Sequence, residues 1–188
     1  MKKHINPEGL WEQHYHSKII QIYGKAGSGK STLAMHFVGY ILQQDIKNKA
    51  FWVDAERKTT SKRLNDIIGN NARSILIAQP RTYDEQEKVF KSLSTMEFPI
   101  TVIVIDTISH HFRELEKRDS WTSYSDYLQF FYEIHILPLL ITQRWMNCHL
   151  ILVHQITSLP EEEDKPYLYK VFEEIHSDWI HLEKGFES

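Results

Sequence analysis

The sequence predicts an α/β domain: a largely parallel central sheet with helices on both faces. Three observations lead to it. Short runs such as TVIVIDT (101–107) and CHLILVHQI (148–156) are too uniformly apolar for strands with one wet face. They alternate with longer segments of helical periodicity. The 188 residues, 41% apolar and 25% charged, suit one globular domain covering 1–188.

The elements follow in order. KIIQIY (18–23) is a β-branched strand stopped by Gly24, and STLAMHFVGYILQQ (31–44) carries apolar residues at helical spacing. AFWVDAE (50–56) is a second strand, and TSKRLNDIIG (60–69) a short helix closed by Gly69. RSILIAQP (73–80) is a third strand ended by Pro80, followed by the amphipathic helix YDEQEKVFKSLSTM (83–96). Residues 101–107 form the fourth strand. Residues 123–146 are a long helical stretch with a kink expected at Pro138. Residues 148–156 and 178–184 supply strands five and six. Residues 1–17 read as an N-terminal extension. The charged stretches 113–123 and 157–177 read as functional loops, because both follow strand C-terminal ends, where ligands bind in such sheets.

The net charge of −3 gives no global basic field for nucleic acid, although protonation of the 11 His residues would turn it positive. A single Cys148 cannot form an internal disulfide and fits a reducing compartment. No stretch is long and apolar enough to span a bilayer, and MKKHINPEGLWEQ lacks the apolar core of a secretory signal. No membrane association and a cytoplasmic location are expected.

GKAGSGKS (24–31) satisfies G-x-x-x-x-G-K-[ST] between a strand and a helix. Gly24, Lys25, Ala26, Gly27, Ser28 and Gly29 would cradle phosphate oxygens with backbone amides at a helix start. Lys30 is the point charge for the β and γ phosphates, Ser31 the Mg²⁺ ligand, and Thr32 the neighbour of the α phosphate. The expected cofactors are ATP and Mg²⁺. Asp106, ending an apolar strand, is the second candidate Mg²⁺ ligand. Thr107 follows it, so a water-activating acid must come from elsewhere. Glu56 in VDAE lies at the same sheet edge; it is either that general base or an acid flanking a helix. Gln155 in VHQI either senses the γ phosphate or is a solvated strand end.

YGKAGSGKST, AFWVDAE, VIVIDTISHHFRELE and LVHQITS together resemble the RecA/RadA recombinase superfamily, most nearly its short archaeal RadB-type paralogues, over roughly residues 15–184. The resemblance implies a RecA-like P-loop ATPase core. It implies Glu56 as the water-activating acid, Asp106 on Mg²⁺, and Gln155 coupling the γ phosphate to a DNA-binding loop. Arg63 matches an Arg that stacks on adenine, and Arg113 matches the start of the first DNA loop. It also implies an ATP-binding, weakly hydrolysing protein that acts in or regulates recombination and repair. Its partners would be a recombinase or other recombination protein, weakly bound single-stranded DNA, and possible further copies of itself.

Departures accompany these matches. Fewer than twenty residues precede the first strand, and TSLPEEEDKP after Gln155 is acidic where phosphate backbones favour Lys and Arg. RELEKRDSW, with Lys117, Arg118 and Trp121, retains the means for phosphate and stacking contacts. Two other readings stay open: a non-hydrolysing nucleotide-binding interaction module, and a small-molecule P-loop kinase, which would need an Arg-rich lid that neither loop offers. His14, His16, His110 and His111 lack zinc-like spacing to Cys or carboxylates. His154 reads as a packed strand residue, and the aromatics of 127–135 as core.

Overall fold

The computed structural model describes residues 6–113, 123–156 and 165–183. Six strands form one sheet in the order β3-β2-β4-β5-β1-β6. They are β1 (Ile19–Gly24), β2 (Ala50–Asp54), β3 (Ile75–Ala78), β4 (Val102–Asp106), β5 (His149–Gln155) and β6 (Asp178–Leu182). Every pairing is parallel. β2 and β4 are buried at every position, as uniformly apolar runs require when both faces are covered.

Two apolar layers sandwich the sheet. On one face lie α1 (Pro7–His14), α2 (Lys30–Gln44) and α3 (Ser61–Ile68), around Ile22, Phe37, Trp52 and Val104. On the other lie α4 (Tyr83–Leu93), α5 (Tyr124–Phe131) and α6 (Leu137–Met146), around Phe90, Ile105, Phe112 and Phe131. The connections from β1 to β2 and from β2 to β3 run toward one sheet edge, and later ones run back. Right-handed crossovers therefore place the two helix sets on opposite faces.

Local chemistry sets the helix ends. The side chains of Thr60 and Thr82 accept from the Arg63 and Glu85 amides at the starts of α3 and α4. Glu85 reaches back to the Arg81 amide at 2.7 Å, a variant of the capping box. Thr82→Ala is expected to cost about 1 kcal/mol and to lower Tm by about 2–4 °C, measured by thermal melting.

The expected kink at Pro138 takes a different form. A π-helical turn, Tyr132–Ile136, joins α5 to α6, and Pro138 sits in the first turn of α6. Proline lacks an N–H and crowds the carbonyl four residues back, and the wider turn absorbs both defects. That turn carries buried His135 into a cluster with Tyr83, Phe90 and Phe131. Burial there drops its pKa to about 3, so the ring stays neutral.

Among the described residues, two short α-helices and a 3-10 turn at Gly69–Ser74 have no counterpart in the sequence expectations. In the N-terminal extension, α1 anchors through Trp11, which packs on Phe37 and His149. Within 157–177, α7 (Tyr169–Phe172) is tied to β1 by buried Gln21, which donates to the Phe172 carbonyl at 3.1 Å and to Ser177 at 2.7 Å. His14 pairs with Asp178 at 2.7 Å. Residues 114–122 and 157–164, which contain most of the first candidate loop and the acidic run of the second, lie outside the described residues. Among the described residues no helix is long and apolar enough to cross a membrane.

Candidate nucleotide-binding site

Four strands end on site residues: Gly24 closes β1, Asp54 β2, Asp106 β4 and Gln155 β5. Parallel pairing sets Gly24 beside Gln155 and Asp54 beside Asp106. Asp54, Asp106 and Gln155 line a cleft of about 250 Å³ together with Ala26, Gly27, Gly29, Lys30, Ser31, Glu56 and Arg63. Gly24, Lys25 and Ser28 complete the loop without lining the cleft. Thr32 lies one residue deeper, where its hydroxyl accepts from the Arg63 guanidinium at 2.8 Å. The sequence-derived candidates thus converge on one place.

Two positions of the glycine-rich loop suit glycine, one through a close contact and one through its backbone angle. A Cβ on Gly24 would stand 2.3 Å from the Leu182 carbonyl oxygen, so β6 closes on the loop's start. Gly29 is the N-cap of α2 at φ 90°, a left-handed geometry costly to side chains. No side chain caps α2, and no acid sits in its first turn, which leaves its positive end and amides to an anion.

Lys30 is buried and donates to the carbonyls of Gly24 at 2.9 Å and Lys25 at 2.8 Å. Burial lowers its pKa, while Asp106 and Glu56 pull the other way. Asp106 is pushed up to about 6 by burial; the Ser31 hydroxyl hydrogen-bonds it and opposes the shift, whereas Asp54 and Glu56 reinforce it.

Glu56 has both oxygens engaged. Oε2 is ion-paired with Lys58, and Oε1 accepts from the Thr107 hydroxyl at 3.1 Å. Burial would raise its pKa; the hydrogen bond and charge of Lys58, with Thr107 and His110, outweigh burial and leave it lowered. Asp54 accepts from the Thr59 amide at 2.7 Å and from Gln79 at 2.9 Å, which pins the turn carrying Glu56. On the far side, Arg113 donates to the Gln155 carbonyl at 3.0 Å and lies over the Tyr167 ring.

Asp54, Lys58, Thr59 and Thr107 line the cleft and were not among the sequence candidates. Asp54 was legible, being a strand-ending acid in VDAE. Lys58 was not, because nothing in its spacing separates it from a solvated cation. His111 turns inward, its Nε2 3.0 Å from the Pro80 carbonyl, while His110 stays within electrostatic reach of Glu56. His154 is buried against Phe172 and Trp179, and burial drops its pKa to about 3.

The residues present fit a Mg²⁺–triphosphate. Hard oxygen donors from Ser31 and Asp106 stand together, as Mg²⁺ prefers. The open helix start and the Lys30 ammonium supply the positive field for phosphates. The buried Ser28 hydroxyl, inside the same loop, has no hydrogen-bond partner among the described residues.

The RecA N-terminal domain family model matches residues 13–120, more than half of the chain. The chain belongs to this family. Its relatives in the RecA/RadA superfamily include RadB-type proteins. The DNA repair and recombination protein RadB of Methanococcoides burtonii is 29% identical over 108 residues, 54% of this chain and 47% of that protein. RadB of Thermococcus sibiricus is 27% identical over 113 residues, covering 56% and 47%. Protein RecA of Gloeobacter violaceus is 34% identical over 92 residues, covering 49% and 24%. The matched part therefore spans less than half the length of each of these relatives. The RecA-family match covers the glycine-rich loop, Glu56 and Asp106, and ends before Gln155.

Proposed function

We propose that this RecA-family chain is a single ATP–Mg²⁺-binding domain that hydrolyses ATP slowly and regulates a recombinase in DNA recombination or repair. One observation carries the reading: Lys30, Ser31, Glu56, Asp106 and Gln155, from separate sequence segments, edge the same cleft. The names of the RadB and RecA relatives support the setting in recombination and repair.

When bound, the Mg²⁺–triphosphate supplies the phosphoryl group and the electrophilic phosphorus. Lys30 and the amides at the start of α2 bind the phosphates, and the Ser31 hydroxyl and Asp106 carboxylate hold the cation. Glu56 orients the attacking water and takes its proton on a carboxylate oxygen. Arg63, anchored on Thr32, offers a planar guanidinium for the base. Gln155 lines the cleft and its carbonyl accepts from Arg113, which supports a role in passing nucleotide state to both loop segments. In that reading the acidic run 159–166 meets a protein partner rather than DNA.

Lys30→Ala tests the binding half. It removes a buried cation from the phosphate site and is expected to cost about 2 kcal/mol, weakening ATP about 30-fold in a calorimetric titration. Unchanged affinity would overturn the site. ATPase assays with and without single-stranded DNA, at low and moderate salt, test the rest: stimulation that survives moderate salt favours direct DNA action, and clear ATP binding without stimulation favours a partner switch.

The Lys58–Glu56 ion pair favours a second reading, an interaction module that holds nucleotide without turning it over. A carboxylate paired with an ammonium is a weak proton acceptor. Lys58→Ala distinguishes the two: a rise in turnover marks Glu56 as a restrained base, and no turnover in either form supports the module.

A further inference from the structure

The turn that carries Glu56 also presents Lys58, and its backbone is held there against a local preference. Arg57, between them, has φ 57°, a left-handed geometry that a bulky side chain seldom adopts. Asp54 fixes the turn twice. Its carbonyl accepts from the Arg57 amide at 3.2 Å, and its carboxylate accepts from the Thr59 amide at 2.7 Å. Strained backbone held in place by its surroundings is concentrated at functional sites. Glu56 and Lys58 both line the nucleotide cleft, and Arg57 does not.

Among the described residues, Glu56 is the one ion-pair partner of Lys58. The Lys58 side chain is 74% exposed and that of Glu56 19%. An ion pair with so exposed a member contributes little to stability, so the ammonium can leave Glu56 at small cost. A flexible four-carbon stem gives it reach. Lys58 also lies within electrostatic reach of Asp54, Asp106 and Lys30, in the field of the groups assigned to phosphate and Mg²⁺.

The position of Lys58 selects one phosphate. A general base works within hydrogen-bond distance, or one water, of the proton it takes. With Glu56 as the base, the attacked atom is the terminal phosphorus, so the space beside Glu56 belongs to the γ phosphate. A diphosphate leaves that space empty, and Lys58 keeps its carboxylate. A triphosphate adds a phosphate whose negative charge exceeds that of one carboxylate.

We propose that Lys58 is the residue by which this chain distinguishes ATP from ADP, its ammonium exchanging Glu56 for the γ phosphate. The role rests on the cleft binding ATP as proposed above, and it adds a specificity-determining residue to that site. Lys58 contributes nothing to a bound diphosphate. Glu56 is unpaired to the extent that the ammonium leaves it, so the base is released by the substrate it serves.

Calorimetric titration in the presence of Mg²⁺ with two ligands, ADP and the β,γ-imido analogue of ATP, tests the exchange. Lys58→Met keeps the apolar stem and removes the charge at an exposed position, where the fold tolerates it. It is expected to weaken the analogue about tenfold and ADP less than about twofold. Lys58→Arg keeps the charge and holds the analogue within about threefold of the parent. Glu56→Gln removes the competing carboxylate. It raises affinity for the analogue about threefold in the parent and leaves it unchanged in Lys58→Met, a coupling that a purely structural lysine would not produce. Equal losses for both ligands in Lys58→Met, or an unchanged preference between them, overturn the role of Lys58 and leave the ATP site standing. So does a gain from Glu56→Gln that persists without Lys58. A parent chain that binds neither ligand overturns the site and this role together.

Discussion

Glu56→Gln is expected to keep ATP bound and to lower phosphate release by roughly two to four orders of magnitude, measured in single turnover with protein in excess. The substitution preserves size and leaves an oxygen able to accept from Thr107, so the turn pinned by Asp54 keeps its shape. It removes the group that can receive the proton of an attacking water. It also removes the charge that holds Lys58. The freed ammonium then faces the phosphates, so affinity for ATP holds or rises while turnover falls. Equal turnover in the two proteins would exclude Glu56 as the base and shift attention to another group at the same edge.

Asp106→Asn is expected to stabilise the protein without nucleotide at neutral pH by about 3 kcal/mol, while abolishing the Mg²⁺ dependence of ATP binding. The sign follows from the proton balance. Asp106 moves from an ordinary value of 3.8 to about 6 on folding, chiefly through burial. Between those values the folded chain binds more protons than the unfolded one, so stability falls as pH rises through that window. Its ionised form is thus a cost at pH 7 that a bound cation offsets. Denaturant melts of parent and variant at several pH values measure this: their difference should be largest at pH 7 and fade toward pH 4. A difference independent of pH would mean that Asp106 is not the titrating group.

Strand positions were legible because buried parallel strands announce themselves as apolar runs; β1 to β6 fall within a few residues of the expected segments. The loop at 24–31, Glu56, Asp106 and Gln155 were legible for a related reason: chemistry placed at strand ends has a fixed address. What escaped lacks such an address. α1 holds to the domain through Trp11, and one aromatic creates no periodicity. The turn at Tyr132–Ile136 depends on how Pro138 is accommodated, which sequence signals only as an interruption. Lys58 reaches Glu56 through a loop conformation set by Asp54, Thr59 and Gln79, a tertiary circumstance invisible in spacing.

Gly24, Asp54, Asp106 and Gln155 each terminate a different ladder member, and a slip of one residue in any ladder would turn that member's side chains to the opposite face. Loss of the native sheet therefore entails loss of the binding pocket, and ligand retention can report correct assembly of the whole domain. By mass action, nucleotide at a hundred times its Kd should add about 2.7 kcal/mol to the unfolding free energy. Thermal-shift screening of candidate nucleotides then doubles as a test of fold integrity and of ligand preference.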